Sequence, residues 1–393
     1  MDNLPPDLLR DAAGGDALAL ARALVATPSV NPLLEPGGHG EDSIARLTEA
    51  WLRSWGFDVE RTEVAPGRFN VVGSVGAGGD GRTLILNGHL DTVGVEGMTV
   101  PPFDAEVRDR RLWGRGACDM KGGVASLLSA SAALSRGEVS GRLVVALTCD
   151  EEHASLGMAA LVDSGVRADA AVVCEPTGLA VMPAHKGFVW LEAEFQGRAA
   201  HGSRPDEGVD AIEHAARYLV ALDGLRETIS ARDPHPLLGH GSFHAGTIEG
   251  GSAPSVYPDR CKLVIERRTL PGESADDVVA EFQAVLTDLP GSGGEARITR
   301  GLTRPGTEVD IESELVRGLL GAKEALGQTP MVEGMTAWVD AAFLNEAGVP
   351  AVCFGPGSIA KAHSADEWIE TSDIEIAARV LEVFAGDFLK MGS

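Results

Sequence analysis

Four short islands place imidazoles and carboxylates where a strand gives way to a turn or a helix. Gly88-His89-Leu90-Asp91 follows the apolar run 83–87, Asp150-Glu151-Glu152 follows 143–148, and Cys174-Glu175-Pro176 closes 170–174. Gly116-Ala117-Cys118-Asp119-Met120-Lys121-Gly122-Gly123 opens a helix. A fifth island, Ala362-His363-Ser364-Ala365-Asp366-Glu367, lies beyond the loop Gly355-Pro356-Gly357-Ser358. Neutral imidazoles and anionic oxygens suit borderline-soft Zn²⁺, and one carboxylate can bridge two ions about 3.5–4 Å apart. Such a set performs metal-assisted hydrolysis and needs no other cofactor. In His89-Leu90-Asp91, side chains two apart in an extended segment share a face, so the Asp91 carboxylate is expected to orient the His89 ring. Glu151 and Glu152 diverge just past a strand, so one can ligate while the other holds a water. Each island alone is weak evidence, because His-x-Asp turns and Glu-Glu pairs are common on surfaces. All five in order at strand ends or glycine-flanked turns make one site.

The elements that must position these groups are legible as hydrophobic periodicity. Ile44, Leu47, Trp51 and Trp55 predict an amphipathic helix ending at Gly56, followed by extended segments 70–75 and 83–87. An Ala/Leu/Ser helix after Gly122, the strand 143–148, a short helix near 156–163 and the strand 170–174 follow. Continuous apolar strands alternating with helices predict a mostly parallel sheet covered on both faces, and strand ends in such sheets converge on one crevice. Beyond Pro183 the pattern changes. Val189, Leu191, Ala193 and Phe195 alternate as a half-buried strand, and Val209, Ile212, Ala216 and Leu219 mark a helix face. The strand 261–268 puts Leu263, Ile265 and Arg267 on one face, and Ser274 with Asp277 caps a helix carrying Val278, Val279, Phe282 and Leu286. Turns at 289–294 and 303–306 return the chain to helix–strand alternation through 349–354 and a last helix capped by Ser372 and Glu375. The expected organisation is an α/β domain formed by 1–182 and 303–393, with an α+β domain, 183–302, inserted into it.

Composition bounds the function. The 393 residues carry 33 Lys plus Arg against 58 Asp plus Glu, a net charge of −25, which disfavours nucleic acid and anionic membranes as partners. Cys118, Cys149, Cys174, Cys261 and Cys353 show no CxxC spacing and read as buried thiols of a reducing compartment. The start Met1-Asp2-Asn3-Leu4 lacks an apolar signal region, so the expected location is the cytoplasm. Gly114-Arg115-Gly116 is the nearest approach to a nucleotide loop, but no GxGxxG opens a helix after a strand.

Gly88-His89-Leu90-Asp91-Thr92-Val93, 114–122 (Gly-Arg-Gly-Ala-Cys-Asp-Met-Lys-Gly), Glu151-Glu152, Glu175-Pro176 and His363-Ser364-Ala365-Asp366-Glu367 occur in order. In these motifs, over nearly its whole length, the chain resembles the aminoacylase, acetylornithine deacetylase, succinyl-diaminopimelate desuccinylase and carboxypeptidase G metallopeptidases. The resemblance implies a two-domain di-zinc catalytic fold with an inserted lid and dimerisation domain. It implies that Asp119 bridges two zinc ions, cobalt or manganese being substitutes, with His89 and Glu175 completing one site and Glu152 and His363 the other. Asp91 then orients His89, and Glu151 is the general base. It further implies that His201, in Ala200-His201-Gly202-Ser203-Arg204-Pro205, meets the oxyanion, often across a homodimer, and that Arg268 of Glu266-Arg267-Arg268-Thr269-Leu270-Pro271 holds the substrate carboxylate. Ser255 stands where many relatives have Asn, and Glu266 where they have Asp, so substrate preference is where this chain departs. Ser255 and Gly357 are further substrate-contact candidates. His153, His240 and His244 remain unassigned.

The expected substrate is a small N-acyl amino acid, acetylornithine first, then succinyl-diaminopimelate, then a dipeptide or folate-like C-terminal glutamate. A catalytically silent metal-binding oligomer is the reading from another class. Loss of Glu151 or a ligand would signal it, and all are present.

Overall fold

A computed structural model of the chain describes residues 5–76, 81–289 and 294–390, so residues 290–293 of the 289–294 turn and the first four residues lie outside the described part. The chain divides into two compact units. The first comprises residues up to Pro183, Val309–Glu333 and from Val339 onward; the second comprises Ala184–Glu308 and Gly334–Trp338. The return therefore comes six residues later than the turn pattern suggested, and a five-residue stretch far along the sequence joins the second unit.

The first unit is built on a sheet whose centre is parallel. Strands Arg142–Thr148, Thr83–His89, Ala170–Val173 and Ala351–Cys353 lie side by side in that order, all parallel. Arg68–Val75 and Asp58–Ala65 extend one side antiparallel, and Met182 pairs antiparallel with Cys353 on the other. The parallel strands are buried almost throughout, as their unbroken apolar composition requires. Helix Asp42–Ser54 buries Ile44, Leu47 and Trp51 and ends before Gly56, whose φ of +85° is the left-handed stop that glycine allows. Helix Gly122–Leu134 is apolar all round and buried on nearly every side. The last helix, Thr371–Lys390, starts directly after the strand Trp368–Glu370, so Ser372 and Glu375 lie inside it rather than capping it.

In the second unit four antiparallel strands run in the order Ser242–Gly250, Arg260–Thr269, Gly187–Gln196, Ala296–Arg304. Helices Ala211–Ser230 and Ala275–Thr287 share their core, and Ser274 Oγ accepts from Asp277 N–H as the cap signature required. The buried stripe of the longer helix is Ala211, His214, Ala215, Tyr218 and Leu222, whereas Ile212 and Ala216 are exposed. The apolar pattern puts the face one residue off because His214 and Tyr218 pack as hydrophobic rings. His214 stands 4.9 Å from the Phe195 ring centroid, and the Tyr218 hydroxyl donates to Phe282 O at 3.0 Å. Arg267 falls on the buried face with Leu263 and Ile265, where it pairs with Glu273 at 2.7 Å. All five cysteines are buried and free, and no helix among the described residues is long and apolar enough to cross a membrane.

Candidate metal centre

Strand register sets the floor of the site. His89 is paired with Thr148, Asn87 with Val173, and Val173 with Cys353, so four parallel strands end along one edge. From those ends the chain turns into His89, Glu151 and Glu152, Glu175, and the loop leading to His363. Asp119 comes from the irregular turn Ala117–Lys121, whose Asp119–Met120 peptide is cis, ahead of helix Gly122–Leu134. Gly116, at φ +78°, starts that turn, and a Cβ there would meet the Thr92 methyl at 2.6 Å. At Gly123 a Cβ would come within 1.9 Å of Cys174 O, so only glycine lets the helix approach the Glu175 loop.

The side chains converge. Asp119 Oδ1 is 3.2 Å from His89 Nε2 and its Oδ2 is 3.4 Å from His363 Nε2, so the carboxylate shows one oxygen to each imidazole. His363 Nε2 also lies 3.0 Å from a Glu152 oxygen, and Glu151 reaches within 3.9 Å of His89 Nε2. Ligand atoms of His89, Asp119 and Glu152 fall within 4.8 Å of one another. Glu175 is buried beside them, and its Oε1 accepts no hydrogen bond from the described residues.

Charge in this cluster is unbalanced. Burial pushes the Glu175 carboxyl up to about 8, with the Asp119 charge adding to it. Burial likewise raises Glu151, reinforced by Glu175 and Asp340, and raises Glu152, reinforced by Asp119. Hydrogen bonds to Asp119 and Glu152 lift His363 to about 10. Burial opposes charging His89, but the bond to Asp119 and the charges of Glu151 and Glu175 hold its pKa well above the usual range. Fully ionised, these four carboxylates would outweigh two imidazolium charges, and without a cation the raised carboxyls offset that excess by holding protons. With a buried carboxylate oxygen that meets no donor among the described residues, this set fits divalent cations bound by N and O ligands.

Asp91 acts differently from the expectation. His89 Nδ1 is held by the backbone carbonyl of Asp91 at 3.0 Å, while the nearest Asp91 carboxylate oxygen is 3.8 Å away. The strand ends at His89, so the two side chains no longer share a pleated face. The Asp91 carboxylate instead accepts from the backbone N–H of Glu151 at 3.0 Å and of Glu152 at 3.3 Å, and from Asn31 Nδ2 at 2.8 Å. Asn31 also donates to Asp150, which Arg68 contacts at 2.9 Å, and Arg68 is paired with Glu41 at 2.7 Å. This buried lattice fixes the loop carrying both glutamates, with Asp150 in the left-handed region at φ +66°. Sequence reasoning missed Asn31, Arg68 and Glu41. No local signal marks them, since Glu41 lies in the polar run Gly38-His39-Gly40-Glu41-Asp42-Ser43 and Arg68 follows the turn Pro66-Gly67.

Gly357 is buried, has φ +79°, and its carbonyl accepts the Gly178 N–H at 2.5 Å. His201, Ser255 and Arg268 belong to the second unit. Gly202 N–H donates to Ser255 O at 2.7 Å and Tyr257 N–H to Ala200 O at 2.9 Å, which joins the His201 loop to the Ser255 turn. Ser203 N–H donates to His201 Nδ1 at 3.2 Å, so in the neutral ring the proton sits on Nε2. Arg268 is on the face opposite the helices, its Nε 3.1 Å from Glu266 and its guanidinium 5.5 Å from the Phe188 ring centroid. Of the unassigned histidines, His153 lies 3.9 Å from Asp150, His244 lies 3.8 Å from Glu266, and the His240 carbonyl accepts from Lys186 Nζ at 2.6 Å.

A family model described as Peptidase family M20/M25/M40 matches residues 85–387, a span that includes every island. The chain belongs to this peptidase family. It is 34% identical over 357 residues to an acetylornithine deacetylase of Myxococcus xanthus, which covers 86% of this chain and 91% of that protein. Aminopeptidase PepT of Bacillus cereus has the same fold, with a TM-score of 0.80 at 21% identity over 95% of this chain and 98% of its own. A dinuclear metal binding peptidase of the M20 family from Bacillus subtilis superposes with a TM-score of 0.72 at 18% identity, over 97% and 99% of the two chains. As a member of the M20 family the chain is a metal-dependent amidohydrolase, with a mixed α/β fold around a mostly parallel sheet.

Proposed function

We propose that this enzyme removes the acyl group from an N-acyl-α-amino acid, with acetylornithine as the first candidate. The carrying observation is Asp119, which turns one carboxylate oxygen toward His89 and the other toward His363, with a Glu151 oxygen 3.9 Å from the same His89 nitrogen. The substrate class rests on the acetylornithine deacetylases it resembles at 30–34% identity. His89, Asp119 and Glu175 would hold one zinc ion, and Asp119, Glu152 and His363 a second. Zinc held there would supply Lewis-acid polarisation of the scissile carbonyl and a water of lowered pKa.

The chain's own groups do the rest. Glu151, half-buried and with raised proton affinity, takes the proton of the attacking water and returns it to the departing amine. Asp91 holds that glutamate's backbone in place. His201 presents Nε2–H as a donor for the tetrahedral oxyanion. Arg268 offers a planar fork for the substrate's α-carboxylate, with Ser255 and Gly357 as additional contacts. Five buried free thiols support a reducing, cytoplasmic setting.

A liberated-amine assay over N-acetyl, N-succinyl and dipeptide substrates tests the class, and N-acetylornithine is expected to give the highest kcat/KM. A preference for a succinyl compound or a dipeptide would replace that assignment. In the same assay Arg268→Ala should chiefly raise KM and His201→Ala should lower kcat by about 10²–10³-fold. Equal hydrolysis of the α-carboxamide by the unmodified enzyme would remove Arg268 from its role. The exposed edge strand Ser242–Gly250 supports assembly of the second unit into a homodimer. Sedimentation at micromolar concentration should show a dimer, and a monomer there would overturn it.

A further inference from the structure

Two charged residues inside the motifs have no part in the chemistry above. Arg115 and Glu367 form an ion pair at 2.6 Å, with side chains only 4% and 1% exposed. What the pair holds is backbone rather than the ligand side chains themselves.

Glu367 Oε1 accepts from the N–H groups of Cys118 at 2.9 Å and Asp119 at 3.1 Å, while Oε2 accepts from Gly116 N–H at 3.1 Å. Three amides of the turn that carries Asp119 thus end on one carboxylate from a segment far along the chain. Arg115 spreads the connection. Its Nε donates to Gly94 O at 2.8 Å, just beyond the His89–Asp91 island, and its NH1 reaches Ser364 O at 3.4 Å, the residue after His363. Three ligand-bearing islands therefore meet at one buried pair.

An ion pair taken out of water contributes little net stability compared with apolar residues of similar volume, so stability alone does not account for it. Its geometry does. We infer that Arg115 and Glu367 are positioning residues that hold Asp119 and the His363 loop in register, so that the Asp119–Glu152–His363 position is formed before an ion arrives. This rests on the metal roles proposed above for those three residues. Outer partners of metal ligands typically change metal affinity or activity by about 10–100-fold when removed.

The test is titration of metal-free protein with cobalt(II), followed by calorimetry and by the visible absorption of the bound ion, alongside steady-state kinetics. Unmodified protein is expected to take two ions. Glu367→Gln, whose amide NH₂ cannot accept from the turn, should bind one of the two about 10–100-fold more weakly. Its kcat should fall by a similar factor while KM stays within about twofold. Glu367→Asp should recover part of both losses because it restores an anionic acceptor. Arg115→Met/Glu367→Gln leaves no lone buried charge, so it should keep its melting temperature yet show the same loss of cobalt affinity. Asp366→Ala, next in sequence but paired with Lys361 at the surface, should bind two ions normally. Wild-type cobalt affinity in Glu367→Gln and in the double variant would overturn the inference while leaving the proposed function intact. Failure of unmodified protein to bind any ion would instead overturn the metal roles on which it rests.

Discussion

A Glu151→Gln enzyme is expected to turn over substrate about 10²–10⁴-fold more slowly than the unmodified one while retaining normal metal content. The glutamine preserves the side chain's volume and its place on the loop, whose backbone N–H is held by Asp91 at 3.0 Å. What it loses is the capacity to carry a proton between water and leaving amine. The neighbouring Glu152, 3.0 Å from His363 Nε2, should behave in the opposite order. Its replacement by Gln should release metal first and activity as a consequence. Metal analysis of both purified variants beside their kcat values checks this. Loss of metal from the Glu151 variant, with retention in the Glu152 variant, would mean that the two roles are exchanged.

Exhaustive chelation is expected to abolish hydrolysis and to lower the melting temperature, and zinc or cobalt should restore both. The first effect follows because the donor set supplies no substitute electrophile for the carbonyl. The second follows from electrostatics. Asp119, Glu151, Glu152 and Glu175 crowd one cluster in which the imidazoles of His89 and His363 supply the neighbouring positive charge, and a ligand that binds the folded chain stabilises it by mass action. Full activity persisting in protein shown to be metal-free would end the metal-assisted mechanism. Activity lost without any change in melting temperature would mean that the ions contribute to chemistry but not to holding the acidic cluster together.

The two glutamates show how far local reading reaches. Their position just past Arg142–Thr148 was legible because a strand leaves the sheet edge at a residue that apolar run-length and polarity change both mark. The same holds for His89 and Glu175, and for the helix Leu156–Asp163, whose limits match the pattern, whereas Asp119 was marked by its glycine-flanked motif ahead of a helix. Which glutamate faces which histidine depends on how the loop from Asp150 is tethered, and its tethers are Asn31, Arg68 and Glu41 on other elements.

By itself, then, the amino-acid sequence determined the parallel centre of the sheet, the change of architecture near residue 183 and the five islands of ligand-type residues. Each of these is written in short-range periodicity or in contiguous motifs, because strand burial and strand ends are local properties of the chain. Tertiary structure alone decided that the Asp91 carboxylate serves the Glu151–Glu152 backbone rather than the His89 ring. It also decided that His214 and Tyr218 turn the helix Ala211–Ser230 by one residue, and that Arg115 and Glu367 tie three islands together. Those outcomes turn on which buried donor finds which acceptor between segments far apart in the chain. Burial makes every such pairing obligatory, but spacing along the chain does not say with whom.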